Sequence, residues 1–342
     1  MQERLKQELP QILQVLQILS PTSFSWAGTT ICIGEPQQKQ PPHLDEQKNL
    51  LVEHLVRQLY HHCYCRPFKA DAIYQPIVPE PDEEFVNALS EANTTVERLD
   101  PGWHVLRRLP TEHYFVQKND LIRAVAPGEL ISHDGPGVVL REGTPVNVVC
   151  RKESRTMHPG FYYVFGATIT DQQDEDDLLR FYWNIKAEGA PVLVHLLTSR
   201  LNHFQIPFRF KCLNNPNSYN RLDAAVLYLN IRFYRLATEL LAEVHKQVAD
   251  YLEPDAPLFS KQLAVGLGLA EEPGDGESFG QQRCRILAEG MWNAYELKLQ
   301  TEHERLQEVI KHFELKGLSL DNPHLNQGSI DQYDFPVRPI AV

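Results

Sequence analysis

The sequence predicts an α+β fold, a mixed or antiparallel sheet with helices packed on one face, preceded by a mainly helical N-terminal region. Three observations carry this reading. Strand-like runs begin near Gly102 and recur through GFYYVFGATI, RFYWNI, PFRFKCLN and AAVLYL. Apolar stripes at helical spacing lie between and after them. The order strand, helix, strand, strand, helix from Arg180 to Tyr251 belongs to a sheet with its helices segregated to one side, which leaves the other side free for a site.

Residues 1–98 read as mostly helical. In a helix from about Leu44 to His62, Val52, Leu55, Val56 and Leu59 fall at i, i+3, i+4, i+7 and form one buried stripe. The proline-rich segments at 36–42 and 76–84 bracket it. From 99 to 317 the chain reads as the α+β domain. GWHVLRR, HYFVQK, LIRAV and TPVNVVCRK are strands separated by Gly, Pro and Asp signals, and the acidic run DQQDEDD at 171–177 is a solvated turn. Gly189 and Pro191 suit a helix start, and Leu193, Leu197, Leu201 and Phe204 give it a stripe. Leu240, Val244, Val248 and Tyr251 mark a second helix. Ser278 is an N-cap for a third running through Arg283, Leu287 and Trp292. A last helix holds Leu306, Val309, Ile310 and Phe313 and ends at Gly317. The tail, 318–342, has no periodicity and reads as extended or disordered.

The 342 residues are 42% hydrophobic and 23% charged, as in an ordinary globular chain with a real core. A net charge of -12 argues against a nucleic-acid binder, because neutralising phosphates needs a basic surface. No run approaches the length of a membrane span, and the charged start MQERLKQELPQ is unlike a signal peptide, so a cytoplasmic protein is expected. Six scattered cysteines in apolar surroundings do not suggest a disulfide framework.

Several familiar motifs fail on spacing. GLGLAEEPGDG has neither the lysine of a phosphate loop nor a GxGxxG at a strand-to-helix turn. His61, His62, Cys63 and Cys65 are metal-ligand types, but neighbours on a helix diverge and no second ligand pair stands at finger spacing, so no metal is expected. No nucleophile elbow is present.

What remains is cationic. Side chains alternate along a strand, so Phe181, Trp183 and Ile185 point one way and Arg180, Tyr182 and Asn184 the other. The second strand repeats the division, with Ile206, Phe208, Phe210 and Cys212 opposite Arg209 and Lys211. The loop after it adds Asn214, Tyr219, Arg221 and Asp223. Any one of these arginines taken alone reads rather as a surface ion pair with the acidic turn or with Asp223, and the tyrosines read equally well as half-buried ring packers. Taken together on facing strands, the set points to an anion site. Arginine clamps phosphate bidentately, and like charge around a lysine favours the neutral amine, a base.

The run from about Gly160 to Tyr295, with RFYWNI, IPFRFKCLNNPNSYNRLDAAVLYL, APLFSK, GLGLAEEP and ESFGQQRCRILAEG, resembles the HopA-type family of type III secretion effectors and its relatives in non-pathogenic bacteria. Relatives tied to peptide-modifying gene clusters act beside a separate kinase and eliminate phosphate from phosphorylated Ser or Thr, leaving a dehydroamino acid. The resemblance therefore implies a phospholyase that needs no metal or organic cofactor and whose partners are a phosphorylated peptide or protein and a Ser/Thr kinase. Lys211 is then the base and Arg180, Arg209 and Arg221 the phosphate clamp, with Asn184 and Asn214 as further substrate contacts. Arg283, near a helix N-terminus, is a weaker fourth clamp residue. The outline is similar to that of phosphothreonine lyases of bacterial pathogens, whose Lys-x-His pair is here Arg180-x-Tyr182, with Lys211 29 positions after Tyr182 and Arg221 ten beyond Lys211. The missing histidine leaves the acid role to Tyr182, to Tyr219 or to no residue. The alternative is an effector-like protein that binds a phosphopeptide or another partner without breaking a bond.

Overall fold

The computed structural model describes residues 3–33, 44–71, 79–135, 138–170 and 176–336. The proline-rich segment at 36–42 and the first part of the acidic run at 171–177 fall outside them. Helix α1 (Glu3–Val15) leads into a small antiparallel sheet of β1 (Leu16–Ser20), β2 (Ser23–Trp26) and β3 (Thr29–Cys32). The N-terminal region is thus less purely helical than expected. QILQVLQILS carries apolar residues that suit either period, and pairing with β2 turns its second half into strand. Helix α2 (Leu44–Leu59) buries Val52, Leu55, Val56 and Leu59 as its stripe predicts, then continues as a π-helical turn, Tyr60–Tyr64. Helix α3 (Glu83–Ala92) is capped by Asp82, whose carboxylate accepts from the Phe85 amide.

Next comes a five-stranded antiparallel sheet. Its strands are β4 (Arg98–Arg108), β5 (Tyr114–Lys118), β6 (Leu121–Val125), β7 (Leu130–Ser132) and β8 (Pro145–Cys150), in the order β6-β5-β4-β8-β7. Trp103, Val105, Val116, Val125, Val146 and Val148 fill its core.

The central sheet has seven antiparallel strands: β9 (Glu153–Ser154), β10 (Phe161–Phe165), β11 (Leu178–Trp183), β12 (Arg209–Leu213), β13 (Ala225–Asn230), β14 (Lys261–Ala264) and β15 (Leu267–Glu271). Their order is β14-β15-β11-β13-β12-β10-β9. Helices α4 (Ala190–His203) and α5 (Tyr234–Gln247) cover one face, where Phe181, Trp183, Phe210, Cys212 and Leu227 pack on Leu193, Leu197 and Leu241. Full burial of a leucine contributes about 1.5–3 kcal/mol, so this layer alone is a substantial core.

The α+β class holds, but helices lie on both faces rather than one. Helix α6 (Phe279–Glu296), capped by Ser278, and α7 (Glu302–Leu315) join α1 and α2 against Tyr182, Val226 and Ala270 on the second face. Their cover is partial. At β10 and β12 that face carries only the small cluster of Phe161, Tyr163, Leu213 and Ala224, and there the polar side chains of the sheet remain open.

From Leu318 to residue 336 the tail has no helix or strand, as its lack of periodicity suggests, yet it packs onto the domain. Leu320, Leu325 and Tyr333 are buried, and the Tyr333 hydroxyl donates to Glu271 at 2.6 Å. Its order comes from distant partners, not from periodicity.

Candidate functional site

The cationic part of the second face is built by register, with Arg209, Lys211 and Arg221 partly exposed and Arg180 buried. Arg180 on β11 pairs across to Tyr228 on β13, and Tyr228 to Arg209 on β12. One row on, Tyr182 pairs to Val226, Val226 to Lys211, and Lys211 to Tyr163 on β10. Pleating puts all of these on one face, since each stands an even number of residues from its neighbour on the strand. Arg180 and Arg209 therefore flank one ring, with guanidinium carbons 5.1 and 5.2 Å from the Tyr228 centroid. The Lys211 ammonium lies 4.5 Å from the Phe161 centroid and 5.7 Å from that of Tyr228. Arg221, after the β12 loop, brings its guanidinium carbon to 5.9 Å from the Phe161 ring. Four cations thus surround two aromatic rings, an arrangement the ring quadrupoles favour.

Their partners divide them into two pairs. Arg180 makes two bonds to the Glu272 carboxylate, one of them 2.6 Å. Arg221 binds Asp223 through two bonds of 2.8 Å and reaches the Cys65 sulfur at 3.2 Å. Burial raises the Asp223 carboxyl, but the Arg221 guanidinium, its hydrogen bond and the nearby Lys211 charge outweigh it and hold the group below the usual carboxylate range. Arg209 and Lys211, both half-exposed, make no side-chain hydrogen bond or ion pair among the described residues. His61 approaches from the π turn. Burial, together with Arg221 and Arg66, pushes it down to about 4, so it is neutral at physiological pH.

Five residues of the expected set lie elsewhere. Tyr182 is on the correct face, but it is buried beneath Tyr64 and Phe279 of the covering layer. Burial pushes its hydroxyl up. Tyr219 packs edge-on against Phe85 and donates to the Leu213 carbonyl at 2.8 Å. Its loop turns through a 3-10 turn, Pro216–Ser218, so the alternation of the strand does not extend to it. Asn184 is buried and donates to the Asp255 carbonyl. Asn214, just past β12, is buried, its backbone amide donating to the Gly160 carbonyl and its backbone carbonyl accepting from the Asp82 amide. Arg283 is fully buried in α6, donates to the carbonyls of Pro323 and Leu325 at 2.8 and 2.7 Å, and is pushed down to about 10 by burial. It anchors the tail.

The strand pattern alone did not single out Tyr228, Phe161 or Glu272. Period-two counting through AAVLYL would have put Tyr228 beside the arginines. Glu272 gives no such signal, because it follows β15 and reaches Arg180 only through the sheet. Among the described residues no three His, Cys, Asp or Glu side chains group to hold a metal ion, and His62 packs against Trp26 with ring centres 4.8 Å apart and planes tilted by 42°. No helix among them is long and apolar enough to cross a membrane.

Fold and site together define an α+β protein whose antiparallel central sheet bears a cationic, aromatic-backed face. The chain belongs to the HopA1 effector protein family, whose model matches residues 152–325, just over half of it. Two solved structures are similar. The effector protein from Pseudomonas syringae pv. tomato strain DC3000 is 16% identical with a TM-score of 0.43, over 82% of this chain and 97% of that one. The effector protein from Pseudomonas syringae pv. syringae strain 61 is 13% identical with a TM-score of 0.43, over 82% of this chain and 98% of that one. No curated protein matches the chain.

Proposed function

We propose that this face binds the phosphate of a phosphorylated Ser or Thr in a peptide or protein and eliminates it. The observation that carries this reading is the pair Arg209 and Lys211, neighbours on one face of β12 that make no side-chain hydrogen bond or ion pair among the described residues. In the reaction the amine form of Lys211 takes the Cα proton. The electron pair of that bond becomes the Cα=Cβ double bond, and the Cβ–O bond breaks, releasing inorganic phosphate and leaving a dehydroamino acid. Arg209 meets the charge gathering on the departing phosphate, supported by Arg180 and Arg221, which Glu272 and Asp223 hold in position. Neither tyrosine hydroxyl faces the open surface, so departure rests on charge neutralisation rather than on a tyrosine acid. A separate Ser/Thr kinase supplies the phosphorylated substrate.

The test is a mass spectrum of phosphothreonine and phosphoserine peptides after incubation with the protein and with Lys211→Ala. Loss of about 98 Da with the parent, slowed by roughly a hundredfold or more in the variant, is the expected result for a general base. Equal rates would remove Lys211 from that role. The two carboxylate-tied arginines favour a second reading, a phosphopeptide binder that breaks no bond. Peptides bound but returned unchanged in mass would select it.

A further inference from the structure

Beside the cationic face lies a cleft of about 230 Å³ where the five-stranded sheet meets the central one. Arg209 and Tyr228 are among its lining residues, so it shares two residues with the proposed phosphate position. Arg123 from β6, Arg151 from just beyond β8 and one carboxylate, Glu129, also line it, and Phe165 and Phe208 supply apolar surface. Arg123 makes no hydrogen bond or ion pair among the described residues. Arg151 has one carboxylate near it, Glu129 at 3.6 Å, and both side chains of that pair are substantially exposed. Three arginines along one cleft are a local reversal of sign in a chain of net charge -12. Two are uncompensated, and the third is held only by a long, exposed pair.

We infer that this cleft is the subsite for the substrate segment next to the phosphorylated residue, and that it selects a segment carrying an acidic side chain. The inference rests on the phosphopeptide reading above, which it extends from the phosphate to its neighbours. The chemistry of the lining fits a short aliphatic stem ending in a carboxylate. The stem lies along Phe165 and Phe208, and the carboxylate meets Arg123 and Arg151, whose forked donors match its two oxygens. A basic side chain in the same place faces two guanidinium groups with little counter-charge and is rejected. Continuity with Arg209 fixes the order of contacts, phosphate on the sheet face and carboxylate farther along the cleft.

The experiment uses phosphothreonine peptides that differ only in having Glu, Gln or Lys at each of the three positions on either side of the phosphothreonine. Elimination rate and binding, by fluorescence anisotropy, are measured with the full chain and with Arg123→Glu and Arg151→Glu. At one or two positions Glu is expected to exceed Lys in kcat/KM on the order of tenfold, shrinking as salt is raised, with the ratio falling to unity or reversing in Arg123→Glu. Equal rates for Glu, Gln and Lys in the parent, or a preference that survives both charge reversals, would overturn the subsite while leaving the lyase intact. If no peptide loses phosphate, the lyase reading fails separately and the anisotropy series decides. A Glu-over-Lys binding preference lost in Arg123→Glu still supports the subsite, and equal affinities overturn it.

Discussion

The Lys211 ammonium stands 4.5 Å from the centre of the Phe161 ring and makes no hydrogen bond or ion pair with any described residue. A carboxylate in place of that ring would hold the nitrogen more strongly but would occupy its donors and repel a phosphate. An aromatic face positions the group while leaving its nitrogen available. Such a contact is worth about 0.5–2 kcal/mol. Phe161→Leu, which keeps an apolar side chain without the quadrupole, is expected to slow elimination roughly fivefold, equivalent to about 1 kcal/mol. Steady-state kinetics check this. A rate unchanged within error would mean that the ring contributes only packing.

Glu272 ties Arg180 while its own backbone is fixed from both sides, its amide donating to Leu178 and its carbonyl accepting from Asn326. Both side chains of the pair are largely buried. Removing the carboxylate leaves a buried guanidinium without its counter-charge, so Glu272→Ala is expected to lose up to about 3 kcal/mol of stability. Inorganic phosphate, by taking the vacated place beside Arg180, is expected to restore more of that loss in the variant than it adds to the parent. Urea unfolding with and without phosphate measures both. Equal phosphate shifts in the two proteins would separate Arg180 from the anion site.

These two relationships show what was legible in the sequence. Alternation in RFYWNI and PFRFKCLN gave the parity of Arg180, Arg209 and Lys211, because a strand fixes which side chains share a face. It could not show which part of that face is covered. Tyr182 has the same parity as Arg180, yet it lies under Phe279, a residue nearly a hundred positions later. Tyr219 was beyond reach for another reason, since the turn at Pro216–Ser218 ends the alternation before it. The β1–β3 sheet and the packing of the irregular tail were not legible because both depend on tertiary partners. Ser278, Gly317 and the leucine stripe of α4 were readable because caps and amphipathic stripes are local.

Helices α6 and α7 are joined by Glu289, which accepts from His312 at 3.0 Å and pairs with Lys316 at 3.2 Å. The His312 hydrogen bond, then the Lys316 hydrogen bond and charge, outweigh burial and draw the Glu289 carboxyl down to about 2 from its ordinary value of 4.5. A carboxylate whose folded pKa is depressed contributes stability above its unfolded pKa and loses it as pH falls through the folded one. Glu289→Gln is therefore expected to be less stable than the parent at pH 7, with the gap narrowing below about 4.5 and closing toward about 2. Urea midpoints of both proteins at pH 7, 4 and 3 trace that window. A gap independent of pH would assign the loss to packing rather than to charge.

Arg283 should matter to the fold rather than to the chemistry. Its guanidinium is fully buried and donates to the Pro323 and Leu325 carbonyls, so the tail and α6 satisfy each other's polar groups. Arg283→Met keeps much of the side chain's volume but leaves both carbonyls without that donor, at a cost of about 1–3 kcal/mol for each buried group left unpaired. Ending the chain after Gly317 removes those carbonyls along with the buried Leu320, Leu325 and Tyr333, and is expected to destabilise at least as much. The two changes share a mechanism, so in combination they should cost less than their sum, a coupling of 0.5–3 kcal/mol being typical of residues in contact. A denaturation cycle over the four proteins measures it. Strict additivity would mean that Arg283 and the tail stabilise the fold independently, whereas coupling would make the last segment of the chain a clasp that sets the position of α6 over the sheet.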